Sequence, residues 1–78
     1  MSLYEQLLEK KHKGQNITIK DLGYDELYQL YVIENKLDAD IADLCNNNKK
    51  NIRSKRHRLG ITIFDKTYET LKEVLNVN

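Results

Sequence analysis

Apolar residues recur along this chain mostly at helical intervals. In residues 2–13, "SLYEQLLEKKHK", Leu3, Tyr4, Leu7 and Leu8 share one helix face. Ser2 stands where an N-cap is needed, with Glu5 in capping-box register, and Gly14 can stop the helix. Residues 16–20, "NITIK", alternate instead, with Ile17 and Ile19 around Thr18, and predict a short strand. After Gly23 the helical period returns over about 24–35, carried by Leu27, Leu30, Tyr31 and Ile33, with Asn35 and Lys36 as terminators. Tyr31 is the best core candidate among the tyrosines.

The second half reads in the same way. Residues 38–45, "DADIADLC", predict a short helix with Asp38 as N-cap, Asp40 in the first turn, and Ile41, Leu44 and Cys45 inward. Asn46–Asn48 break the chain, and asparagine tolerates left-handed backbone. Asn48 can cap the next helix, 49–59, whose buried stripe is marked by Ile52 and Leu59. The aliphatic stems of Lys55 and Arg56 can cover the gap between them. Gly60 ends that helix. "ITIF" predicts a second extended piece, able to pair with the first. A last amphipathic helix follows over about 65–76, with Tyr68, Leu71, Val74 and Leu75 expected inward.

Charge changes the picture more than composition does. The whole chain of 78 residues carries +1, and 40% of it is hydrophobic, as befits one small folded domain over 1–78. Locally it is polarised. Residues 21–45 sum to −6, whereas residues 46–61 sum to +6 with no acid among them. The basic segment "NNNKKNIRSKRHRLGI" coincides with the helix at 49–59. A basic run by itself is most often a solvated face; this one has an apolar stripe behind it and acidic segments before it.

Together the two central helices read "DADIADLC-NNN-KKNIRSKRHRLGI". Ala42 is small enough for two helices to cross closely. Asn46 accepts turn geometry where glycine is usual. Ile52, ten residues after Ala42, can anchor the second helix, and Leu59-Gly60-Ile61 closes it. Residues 24–61 therefore resemble the helix-turn-helix of bacterial, phage and plasmid DNA-binding proteins, in the tri-helical Myb-, homeodomain- or resolvase-like branch. The matching pieces are Ile41-Ala42, Ile52 and Leu59-Gly60-Ile61, with Asn46 at the turn position, and the resemblance covers about half the chain. Asn47 departs from the pattern where an apolar residue is usual, and Cys45 stands where leucine is usual.

The resemblance implies a tri-helical helix-turn-helix core in a mainly α fold; the residue pattern itself adds a helix at each terminus and a minimal two-stranded ladder from the extended pieces. A winged helix is the alternative. It also implies duplex DNA binding, with the helix 48–59 in the major groove. Asn48, Lys49, Lys50, Arg53, Ser54 and His57 would face the bases, with Arg53 the favoured guanine reader. Lys49, Lys50, Arg56 and Arg58 would hold phosphates. A small transcriptional, replication or partition regulator fits, paired through Tyr4, Leu7, Leu8, Leu71 and Leu75 of the terminal helices. The competing expectation is a protein-interaction module that uses the same scaffold.

Other chemistry is not indicated. One cysteine and two histidines at wide spacing match no metal-ligand pattern. There is no phosphate loop and no nucleophile-plus-base pair, so neither an enzyme nor a cofactor is expected. Cys45 reads as a small buried hydrophobe. The charged first twenty residues do not read as a secretion signal, and no apolar run is long enough for a membrane, so a cytoplasmic location is expected.

Overall fold

The computed structural model describes residues 1–75. It is mainly helical, and no strand forms among the described residues. Helix α1 spans Leu3–His12, and α2 begins at Tyr24–Leu27 and continues as a π-helical stretch over Tyr28–Ile33. Helices α3 (Asp38–Leu44), α4 (Lys49–Arg58) and α5 (Ile63–Leu75) follow.

One apolar cluster unites most of these elements. Leu22, Leu27, Leu30, Ile41, Leu44, Ile52 and Ile61 are almost wholly buried. Leu3, Tyr4, Leu7 and Leu8 of α1 pack against the outside of that cluster, half-buried. Three consecutive residues of α2, Leu30, Tyr31 and Val32, are all buried. Such a run exceeds one face of a regular helix, and it is accommodated because α1 and α5 both pack on the π-helical stretch.

The helices end by a shared device. Gly14, Asn35, Asn46 and Gly60 all adopt positive φ, from 50° to 87°. After three of them the next N–H reaches back five residues in Schellman fashion: Gln15 to Lys10, Asn47 to Ala42 and Ile61 to Arg56, at 2.9–3.0 Å. The last of these plants Ile61 in the core as soon as α4 stops.

Both extended pieces are corrected. Ile17 is buried, but Ile19–Asp21 closes a 3₁₀ turn in which Asp21 accepts from the Thr18 N–H at 2.9 Å. In "ITIF" only Ile61 is buried. The Thr62 N–H donates to Asp65 at 2.7 Å, and this cap starts α5 at Ile63. A strand preference carried by two isoleucines yields to side-chain caps that satisfy the backbone locally. The expected ladder therefore does not form, and α5 stands where a wing would begin.

Helix α5 departs from expectation in its facing too. Tyr68, Leu71, Val74 and Leu75 are 55–74% exposed rather than inward. Its polar side meets α2: Tyr28 donates its hydroxyl to Glu69 at 3.1 Å, and the Lys66 ammonium lies 4.0 Å from the Tyr31 ring centre. Burial pushes the Lys66 pKa down, aided by nearby Arg56, while Asp38 opposes the shift. Asn76, the last residue of the expected helix, lies outside the described residues.

Sequence spacing gave no sign of the clasp between α1 and α2. Glu34 accepts from the Leu3 and Tyr4 N–H groups at 2.9 and 3.0 Å, and from the Gln29 amide at 2.9 Å. A carboxylate from the end of α2 thus caps the start of α1, next to the local Ser2 cap on Glu5. Burial alone would raise the Glu34 pKa, but the Gln29 and backbone hydrogen bonds outweigh it and hold the carboxyl below its ordinary value.

Candidate nucleic-acid interface

Helices α3 and α4 pack directly on each other across a four-residue link. Ala42 is 2% exposed and Ile52 is fully buried, so the small residue and the anchor both lie in this contact. Cys45 is buried, with its sulfur 3.6 Å from the Ile41 and Ala42 carbonyl oxygens; burial raises the thiol pKa and keeps it protonated.

The three asparagines do three different jobs. Asn46 takes the left-handed turn at φ 50°. The Asn47 side-chain oxygen accepts from the Asn48 N–H at 2.9 Å and from the Asn51 amide at 2.6 Å. The Asn48 side-chain oxygen accepts from the Asn51 N–H at 3.0 Å and caps α4. The polar residue at 47, which departs from the helix-turn-helix pattern, therefore braces the turn through hydrogen bonds instead of apolar contact.

Asp38 does not act as an N-cap. Leu37 holds that position, and its N–H donates to Asp40 at 3.1 Å. Asp38 instead turns towards α4, where it meets Arg56. The Arg56 Nε and a terminal nitrogen each donate to one Asp38 oxygen at 2.9 Å. The other terminal nitrogen donates to the Ile61 carbonyl at 2.8 Å, and the guanidinium lies 3.9 Å from the Tyr31 ring centre.

This corrects one expected site residue. Arg56 is 4% exposed and cannot reach a phosphate. It lies on the stripe of Ile52 and Leu59 because position 56 follows Ile52 by one helical turn. Burial opposes its charge, but the bond to and the charge of Asp38 raise its pKa, so it stays a cation inside the fold. Lys55 is half-buried, and its ammonium donates to the Ile19 carbonyl at 2.5 Å. Both side chains tie α4 inward.

The other expected residues, Asn48, Lys49, Lys50, Arg53, Ser54, His57 and Arg58, are all exposed. Lys50, Arg53, Ser54 and His57 line one shallow depression on the outer face of α4. Arg53 and His57 also border a neighbouring hollow that reaches Thr62, Ile63 and Phe64. Set against protein-family models, curated proteins and solved structures, the chain matches none.

The chemistry of α4 is one-sided. Helices α1, α2, α3 and α5 each carry an acid in the first turn, which suits the positive end of a helix dipole. Helix α4 has none there and carries Lys49 and Lys50 instead. Two cations at the positive end of a helix cost about 0.3–1 kcal/mol each. Meanwhile two acids of α3 are occupied, Asp38 by Arg56 and Asp40 by the cap on Leu37. Asp43 remains exposed. No His/Cys/Asp/Glu cluster able to hold a metal ion occurs among the described residues, and no helix there is long and apolar enough to cross a membrane.

Proposed function

We propose that the chain binds duplex DNA, with α3 and α4 acting as a helix-turn-helix and the outer face of α4 entering the major groove. The observation that carries this reading is the cationic N-terminal turn of α4. Lys49 and Lys50 oppose the helix dipole in the free protein. A phosphate placed there turns the same arrangement favourable, because amides, dipole and ammonium groups then all face an anion. Arg53 lies one turn further along the exposed face, where its fork can address a guanine edge, with Ser54 and His57 beside it. Arg58 adds a phosphate contact. In this reading the protein is a small regulator of transcription, replication or partition.

The test is fluorescence anisotropy of the protein on random-sequence duplex DNA across a salt series. Lys49, Lys50, Arg53 and Arg58 are the exposed cations of α4. With Arg53 on a base edge, the three phosphate contacts of Lys49, Lys50 and Arg58 give a log–log slope of about −3. Arg53→Ala should then reduce discrimination between sites more than it reduces random-sequence affinity. Absence of binding at low salt would overturn the proposal and direct attention to an acidic protein partner for the same face.

A further inference from the structure

The expected pairing surface is only half free. Tyr4, Leu7 and Leu8 of α1 pack against the core, leaving α5. That helix settles on α2 by its polar side and turns Phe64, Tyr68, Leu71 and Leu75 outward, at 81, 65, 55 and 74% exposure. These four recur at intervals of four, three and four residues, the spacing of a coiled-coil seam. With Val74 beside them, they present on the order of 500 Å² of apolar surface, approaching the ~800 Å² each partner gives to a standard interface.

We infer that this face binds a second copy of the chain, α5 against α5, antiparallel about a two-fold axis. The spacing is its own reverse. Antiparallel pairing therefore sets Phe64 against the partner's Leu75 and Tyr68 against the partner's Leu71, an aromatic ring on an aliphatic side chain in every layer. Such self-complementarity is what a two-fold contact requires. The flanking charges agree. Asp65 and Lys72 lie along one edge of the seam, Thr67 and Val74 along the other. Antiparallel pairing brings Asp65 beside the partner's Lys72 and Lys72 beside the partner's Asp65. A parallel pair would place Lys72 beside the partner's Thr67 and match no opposite charges.

The inference stands apart from DNA binding, because its test uses protein alone. If α4 does bind DNA, the pair supplies two reading heads joined directly through the helix that follows each one. Sedimentation equilibrium at micromolar concentration should give twice the chain mass. Leu71→Asp should weaken self-association on the order of a hundredfold. Its far-UV circular dichroism should not change, since Leu71 is outside the core. A monomeric parent protein, or a Leu71→Asp variant that pairs as before, would overturn the inference. Orientation is read by mixing Tyr68→Cys and Leu71→Cys chains under mild oxidation, with Cys45 buried out of reach. The mixed disulfide should dominate; two self-linked products would overturn the antiparallel arrangement.

Discussion

Replacing Asp38 by alanine strands a buried cation. The Arg56 side chain is 5% exposed and the Asp38 side chain 19%, and two 2.9 Å hydrogen bonds join them. Removing one member of such a pair costs about 3–5 kcal/mol, because the remaining charge stays desolvated. Two features favour the lower end. The Ile61 carbonyl and the Tyr31 ring remain in place, and water can enter through the partly open Asp38 side. A cost of about 3 kcal/mol is large for a chain of 78 residues, whose total stability should be about 4–12 kcal/mol.

The double variant Asp38→Ala with Arg56→Met should recover to within about 1–2 kcal/mol of the parent, since an unbranched apolar chain fills the slot without a charge. Urea unfolding followed by circular dichroism, run as a double-mutant cycle, measures the coupling directly. A cost below about 1 kcal/mol for Asp38→Ala, with no coupling to Arg56, would refute the buried-pair account. The proposed DNA binding offers an independent check. Arg56→Met should leave the salt slope unchanged, whereas a loss of about 0.9 would place Arg56 on a phosphate.

Two further expectations concern the turns and caps. Asn46→Ala should destabilise the fold by about 1 kcal/mol, because a Cβ without a helping polar group resists φ of 50°, whereas Asn46→Gly should not destabilise it; urea midpoints decide. Glu34 makes stability depend on pH. Its folded pKa lies below the ordinary 4.5, so its contribution is fully present above about 4.5 and is lost as pH falls through the folded value. Glu34→Gln should flatten that acid limb and cost about 1 kcal/mol at neutral pH, checked by urea unfolding across the acid range. An unchanged acid limb would remove Glu34 from the account.

Much of this protein is local, and what is local is legible in the sequence. Ser2, Asn48, Gly14 and Gly60 mark helix ends because capping and left-handed turns involve residues a few positions apart. Ile41, Ala42 and Ile52 follow from helical period alone, as does the exposed face that carries Lys50, Arg53, Ser54 and His57. Even the burial of Arg56 had a sign, since it shares a stripe with Ile52 and Leu59. Its charge concealed that sign, because a cation is stable inside a fold only if a partner arrives from elsewhere.

Tertiary structure decided the rest. Asp38 reaches Arg56 across 18 positions, and Glu34 reaches Leu3 across 31. No period or spacing encodes such meetings, which depend on how helices dock. The facing of α5 was decided in the same way. The sequence determined that this helix is amphipathic, but amphipathicity fixes only that two faces differ. Tyr28, Tyr31 and the charges near them bind its polar side, and that contact turns the apolar side outward. A hydrophobic stripe shows that something must cover it; only the packing of the other helices shows that this chain does not cover it by itself.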